Sequence, residues 1–172
     1  ETNIRLNNPT RVGYNFLGWT YLDVTEPSLQ VDLLPGLTGN INFTANWAIK
    51  KSNVSIEINN DEYGFIDTNG FDNTAVPYGS KISIDENTIT INGTTITATP
   101  SSSDGQYLYS FVKWQINGED YNNQTITDDT TITAVFERET NKFNINFAVK
   151  NCDELGNEIE ETCGSVDLNI LE

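Results

Sequence analysis

The chain has 172 residues, with 9 Lys or Arg, 25 Asp or Glu and no His, so its formal net charge is −16 at pH 7. This negative charge disfavours nucleic acid and anionic membrane surfaces as partners, and the lack of His removes the commonest general base and zinc ligand. No apolar run is long enough to span a bilayer, and the 23 Asn and 21 Thr give the chain the composition of a polar β protein.

Alternation of apolar and polar residues with a period of two predicts strands along most of the chain. It is clear over residues 54–58 and 143–147, whereas no stretch carries a sustained helical stripe. At most, a turn or two of helix is expected near residues 26–34. The sequence therefore predicts an all-β fold of antiparallel sheets with little helix.

The clearest single element is a hairpin over residues 87–100. The dipeptide Asn92-Gly93 favours a type I′ turn, because both central residues must take positive φ. The resulting register pairs Ile91 with Thr94 and Ile89 with Ile96. One face of the hairpin is then apolar and the other carries only threonines, which predicts one buried and one solvated face.

Two internal repeats organise the chain. Phe16-x-x-Trp19 is followed by a strand that ends in Trp47, and Phe111-x-x-Trp114 by a strand that ends in Phe136. The alternating segments 54–58 and 143–147 likewise each precede a glycine-led segment, and polar linkers fall at 49–52 and 138–141. We expect the end of one module at 1–49, a complete module at 52–138 and the opening of a third at 141–172. Since no targeting segment precedes Glu1, we expect the chain to be part of a longer protein.

The two cysteines, Cys152 and Cys163, are separated by ten residues and have no further Cys or His to complete a metal site. A disulfide that closes the enlarged loop of the third module is the favoured interpretation, and it would indicate an oxidising, extracytoplasmic location. The alternative is a pair of reduced thiols flanking that loop.

Catalytic residues are scarce, so we expect a protein that is not an enzyme and has no cofactor. Carboxylate pairs occur at 61–62, 128–129 and 160–161. A carboxylate-dependent glycosidase needs two acids that face each other across a cleft, and neighbouring residues of a strand point to opposite faces. No metal site is predicted. Calcium bound by Asp/Asn-rich turns and a Lys–Asn isopeptide crosslink remain open as stabilising devices.

The aromatic residues support two interpretations. Residues at repeat positions are assigned to the core, with a sugar-stacking platform as the alternative for the tryptophans. These core residues are Phe16, Trp19, Trp47, Phe111, Trp114 and Phe136. Other aromatics lie beside turns among Asn and Asp, a composition typical of adaptable binding surfaces. The predicted binding residues are Tyr63, Phe65, Phe71, Tyr107 and Tyr109.

The segment Asn8-Pro9-Thr10-Arg11-Val12-Gly13-Tyr14-Asn15-Phe16-Leu17-Gly18-Trp19, closing with Phe43-Thr44-Ala45-Asn46-Trp47, resembles the Listeria–Bacteroides repeat. This is the internalin B-repeat type of module in bacterial surface proteins. Residues 53–137 resemble a degenerate sister repeat, with Val76-Pro77-Tyr78-Gly79 and Thr133-Ala134-Val135-Phe136. The second copy departs from the pattern because it lacks the glycine before Trp114 and ends in Phe136.

The resemblance implies small β-grasp-like modules in tandem on the bacterial cell surface, secreted or attached to the cell wall, without catalysis. We expect a monomeric spacer or stalk, with a contribution to adhesion. The alternative is an adhesive module that binds a host glycan or protein through exposed Tyr and Phe side chains. A glycosidase is the third and weakest hypothesis.

Overall fold

The computed structural model describes residues 6–31, 33, 36, 38–142, 151–152, 155 and 158–159. The described residues contain strands and turns but no helix, which confirms the all-β prediction. The finer β-grasp assignment stays a prediction. The chain divides into two compact units, residues 1–139 and 140–172, and the module limits proposed above remain predictions.

The first module is a three-stranded antiparallel sheet. It is formed by β1 (Tyr14–Tyr21), β2 (Val24–Ser28) and β3 (Phe43–Ile49), in the order β2-β1-β3. The helical turn predicted near residues 26–34 is wrong for residues 26–28, because they belong to β2. The φ of 44° at Leu22 closes a tight turn that returns the chain alongside β1. Pro27 is compatible with β2 because an edge strand can leave an N–H position unpaired. Residues 32 and 34 of the predicted turn lie outside the described residues.

The second module contains two sheets. The four-stranded sheet consists of β5 (Val54–Ile58), β11 (Tyr107–Ile116), β12 (Glu119–Asp120) and β14 (Thr130–Thr140), in the order β12-β11-β14-β5. The five-stranded sheet consists of β6 (Gly64–Asp67), β8 (Ser80–Asp85), β9 (Thr88–Ile91), β10 (Thr94–Pro100) and β13 (Thr125–Ile126), in the order β13-β8-β9-β10-β6. A short ladder joins β4 (Lys51–Ser52) to β7 (Val76–Pro77).

One hydrophobic core joins the two sheets of the second module. Its buried members come from both sheets and from β7. They are Val54, Val76, Ile82, Ile89, Ile91, Ile96, Ala98, Trp114, Ile116, Ile126, Ile132, Ala134 and Phe136. Burying a side chain of this size contributes about 1.5–3 kcal/mol, so this cluster is the main source of stability in the module.

The hairpin predicted around Asn92-Gly93 is confirmed. Asn92 and Gly93 have φ values of 50° and 81°, and Ile91 pairs with Thr94. The apolar face is fully buried, while Thr90 and Thr95 on the other face hydrogen bond through their hydroxyls at 2.9 Å. Local turn chemistry thus fixes the register of β9 and β10.

The pairing of β5 with β14 differs from the antiparallel expectation, because the two strands run in the same direction. Thr130 lies opposite Val54 and Ala134 lies opposite Ile58. The side chain of Asn59 continues this ladder: its Nδ2 donates to the carbonyl of Phe136, and its Oδ1 accepts from the Phe136 amide, both at 2.9 Å. The first and last strands of the module are therefore parallel neighbours.

A β-bulge explains the spacing of Phe16-x-x-Trp19. In a regular strand, residues three apart point to opposite faces. Phe16 pairs with Trp47, and Gly18 pairs with the next residue of β3, Asn46, so Leu17 is an extra residue without a partner. This extra residue places the side chains of Phe16 and Trp19 on the same face of the sheet. A Cβ on Gly18 would lie 2.6 Å from the Ser28 backbone, and its φ is 139°. Glycine is therefore required at the bulge.

The two repeats build the same aromatic cluster. In the first module, the Phe16 ring centroid lies 5.4 Å from that of Trp19 and 5.2 Å from that of Trp47. In the second, Phe111 lies 5.6 Å from both Trp114 and Phe136. Exposure differs between the copies, because Trp114 and Phe136 are buried whereas the three aromatics of the first module are half-buried.

In the second unit, β15 (Asn151–Cys152) and β16 (Glu158–Ile159) form a short antiparallel ladder with Cys152 opposite Glu158. There is no disulfide among the described residues, and Cys163 lies outside them, so its pairing with Cys152 stays a prediction. The carboxylate pair at 160–161 and the strand predicted at 143–147 also lie outside. The part of the chain that the structure describes has no helix long and apolar enough to cross a membrane.

Candidate functional site

Three of the five predicted binding residues come together on the second module. The Tyr63 and Tyr109 ring centroids are 5.8 Å apart, and those of Tyr107 and Tyr109 are 6.4 Å apart. The Arg138 guanidinium lies over the Tyr107 ring at 4.3 Å and over the Tyr63 ring at 5.4 Å. We call these four residues the tyrosine–arginine cluster. Each cation–π contact contributes about 0.5–1 kcal/mol at an exposed position.

The position of Tyr63 is set by a turn between β5 and β6. Its amide donates to the Asn60 carbonyl at 3.1 Å, and the Asn60 side chain accepts from the Glu62 amide at 2.9 Å. Ser101, just after β10, donates its amide to the Tyr63 carbonyl and its hydroxyl to the Glu62 carbonyl, both at 2.9 Å. The turn is thus held against the end of a core strand.

The position of Tyr107 is set by Asp104, which closes the loop between β10 and β11. The carboxylate accepts from the Tyr107 amide at 2.6 Å and from the Gln106 amide at 2.7 Å. These hydrogen bonds, the Tyr107 one first, lower the pKa of Asp104 from its ordinary value of 3.8, because they favour the charged form. The ionised carboxylate therefore holds the first residue of β11 in place at neutral pH.

Arg138 is the member of the cluster that the sequence analysis missed. Among the described residues, the ion pair observed is Lys113–Asp120 at 2.6 Å, and Arg138 contacts no carboxylate. In a chain with 25 acidic and 9 basic residues, Arg138 stacks on tyrosines instead of pairing with an acid, and Arg11 likewise lies over the Tyr14 ring, at 3.9 Å from its centroid. In the sequence, the feature that could have indicated Arg138 is its position two residues after Phe136, the aromatic residue that closes the repeat.

The other two predicted binding residues lie elsewhere. Phe65 projects from the outer face of β6 and is 58% exposed. Phe71 is half-buried and packs against the hydrophobic core, after a turn in which its amide donates to the Thr68 carbonyl at 2.9 Å. The predicted set of five therefore separates into a cluster of three, one isolated exposed ring and one ring against the core.

Of the two described carboxylate pairs, the one at 128–129 accepts hydrogen bonds at a turn. Asp129 accepts from the Asn53 amide at 2.8 Å, and Asp128 accepts from the Thr127 hydroxyl at 3.2 Å. Asp61 and Glu62 are exposed on the turn before β6. Within the described residues, no group of three or more His, Cys, Asp or Glu side chains could hold a metal ion.

The tyrosine–arginine cluster offers two kinds of contact to a ligand. Half-buried aromatic rings can stack on the apolar face of a sugar or on another side chain. The guanidinium has five N–H donors that suit a carboxylate or sulfate.

Comparison with models of known protein families gives a match to the second module. The family model described as "Divergent InlB B-repeat domain" matches residues 54–140. This is the second module, whose motifs follow the repeat less closely than those of residues 8–47. No curated protein and no solved structure matches the chain. Domains of this family occur in bacterial surface proteins.

Proposed function

Because the chain belongs to the divergent InlB B-repeat family, we propose that it is a non-catalytic spacer or stalk segment of a protein on the bacterial cell surface. In such a segment, the chain must enter and leave each module at opposite ends, so that every module adds to the length. It must also hold its shape without a ligand. The second module offers support for both requirements.

The parallel pairing of β5 and β14 is the observation that carries this proposal. The chain enters the module at the start of β5 and leaves it at the end of β14. Since the two strands run in the same direction, entry and exit lie at opposite ends of the sheet. Thr130, opposite Val54, is ten residues before Thr140, so the chain advances by roughly 33 Å at about 3.3 Å per residue. An antiparallel pair would have returned the chain to its starting end.

The acidic composition and the absence of His also support a spacer. Like charges on successive modules repel one another and discourage self-association. The chain has no His, and the described carboxylate pairs are exposed at turns. We therefore propose that the segment is not an enzyme and that it acts as a monomeric part of a larger protein.

The spacer function is tested in the surface protein that contains this segment. The segment is deleted, or replaced by an unrelated folded segment of equal length, and antibody access to an epitope beyond it is measured on intact cells. We expect deletion to reduce access and the replacement to restore it. If the replacement does not restore access, length is not what the segment supplies, and the spacer function is wrong.

A second candidate function, adhesion, is favoured by the tyrosine–arginine cluster. The ligand would be a host glycan or protein that stacks on Tyr107 and contacts Arg138. Binding of the chain to a glycan array and to host-cell proteins would be compared with that of Y107A and R138A. F65A is the matched control, since it removes an exposed ring outside the cluster. Adhesion through this site requires binding that Y107A and R138A lose and F65A keeps; an array without signal for the unaltered chain excludes glycan binding.

A further inference from the structure

The backbone between the first and second modules is hydrogen bonded along its whole length. β3 ends at Ile49, β4 covers 51–52 and β5 begins at Val54, which leaves only Lys50 and Asn53 outside strands. The Lys50 amide donates to the Gly13 carbonyl at 2.9 Å, and the Lys50 carbonyl accepts from the Tyr78 amide at 2.8 Å. This one residue is therefore bonded to both modules.

Asn53 is held in the same way by the second module. Its amide donates to the Asp129 carboxylate at 2.8 Å, and its carbonyl accepts from the Thr130 amide at 3.0 Å. Between these two residues, Lys51 and Ser52 pair with the strand β7. Each linker residue thus has a hydrogen bond or a ladder partner in the second module, but the ladder is only two residue pairs long.

The ring of Tyr78 lies directly against Gly13 of the first module. A Cβ on Gly13 would be 2.4 Å from Cδ1 and 2.8 Å from Cε1 of Tyr78, so only glycine allows this approach. Gly13 is buried and has a φ of 76°, which also favours glycine. The Tyr78 ring of the second module therefore packs in the space that a side chain at position 13 of the first module would occupy.

Tyr78 is itself fixed on the second module. The Ser80 hydroxyl donates to the Pro77 carbonyl at 2.7 Å, and the Gly79 amide donates to the Ile126 carbonyl at 2.7 Å. Val76, two residues before Tyr78, is a buried member of the core. The backbone on both sides of Tyr78 is therefore held to the second module, which sets the direction in which the ring projects.

We propose that the surface of the first module around Gly13 is a docking surface for the tyrosine of the following module, and that Tyr78 on Gly13 locks the two modules in one orientation. The proposal rests on the spacer function and adds that the spacer is stiff at this junction. A stiff junction preserves the advance of each module, whereas a flexible one would let successive modules fold back.

Residual dipolar couplings measured by NMR on the full 172-residue chain test this lock. Couplings from β1 and β3 give an alignment tensor for the first module, and those from β5–β14 give one for the second. We expect one common tensor for the unaltered chain and for Y78F, which keeps the ring. Y78A should give two tensors of different magnitude, because loss of the ring leaves only the short backbone ladder.

Two further variants separate the lock from general damage. G13A pushes a methyl group into the Tyr78 ring and should uncouple the modules as Y78A does. Y21A removes a ring of the same size within the first module, where the ring centroids of Tyr21 and Phe43 are 5.0 Å apart. Both modules of this variant should still share one alignment tensor. Couplings that fit each module separately in every variant show that the modules remain folded.

Two results would overturn the proposal: two tensors in the unaltered chain, or a single shared tensor in Y78A. Neither result would refute the spacer function, because a flexible array of modules can still separate the segments of the protein on either side of it. Conversely, a failed cell-surface replacement experiment would refute the spacer function and leave the measured stiffness of the junction intact.

Discussion

Asn59 should be the most informative single position for the architecture of the second module, because its side chain extends the β5–β14 pairing beyond the strand. Its amide group makes two hydrogen bonds of 2.9 Å with the backbone of Phe136. Each such bond contributes about 0.5–1.5 kcal/mol net. We therefore expect N59A to lower the free energy of unfolding by about 1–3 kcal/mol, measured by urea denaturation of the full chain.

N59D provides a matched control, because it keeps an acceptor for the Phe136 amide and loses the donor to the Phe136 carbonyl. At neutral pH the carboxylate would face the Phe136 carbonyl oxygen without a proton to donate. At acidic pH the protonated aspartate can donate to that carbonyl again. N59D should thus recover stability relative to N59A at acidic pH. An unchanged urea midpoint for N59A would refute the assigned role of Asn59.

Three further predictions concern single groups in the second module. G64A should lower stability by about 1–3 kcal/mol, because its Cβ would lie 2.5 Å from the Phe136 ring; G105A, in open space, is the control and should unfold at the unaltered urea midpoint. W114F should lower the free energy of unfolding by less than about 1.5 kcal/mol. The buried indole N–H of Trp114 has no hydrogen-bond partner, so its removal offsets part of the packing that is lost. A loss measured by urea denaturation in the range of a Trp-to-Ala change, about 3–5 kcal/mol, would contradict this. Because the pKa of Asp104 is lowered in the folded state, its contribution to the free energy of unfolding is present above pH 3.8 and is lost as the pH falls through the lowered value. The stability difference between the unaltered chain and D104A should therefore shrink below pH 3.8. A stability difference independent of pH would contradict this.

The parts of the fold that depend on local sequence could be predicted. Asn92-Gly93 specified the β9–β10 hairpin because positive φ at two successive residues selects one turn type. The hairpin closed by Leu22 was not predicted, since leucine carries no preference for positive φ. The β5–β14 pairing was also missed, because it joins Val54 to Thr130 across a long stretch of chain and no local pattern specifies such a partner.

The candidate site was predicted in part for the same reason. Tyr63, Tyr107 and Tyr109 were identified because they lie beside turns and are not accounted for by the core pattern. Arg138 was missed because it reaches the tyrosines only through the placement of β14 in the sheet. Phe71 looked like the tyrosines in the sequence, yet the turn that follows β6 directs it against the core. Tertiary packing decided both cases.

The direction of β5 relative to β14 tests the central claim most directly, because the advance of the chain through the module depends on it. Electron–electron double resonance would measure the distance from a spin label at Glu139 to one at Ser55, and then to one at Glu57, with both native cysteines replaced by serine. Ser55 lies opposite Thr131, and Glu139 is eight residues further along β14.

The account predicts a backbone separation of roughly 26 Å for the pair with Ser55 and roughly 20 Å for the pair with Glu57, at about 3.3 Å per residue. Moving the label forward along β5 must therefore shorten the distance to Glu139. Ser55 and Glu57 are both exposed on the same face of the strand, so label geometry is matched between the pairs. A distance that lengthens instead would show that the strands are antiparallel, and the proposed advance of the chain through each module would be wrong.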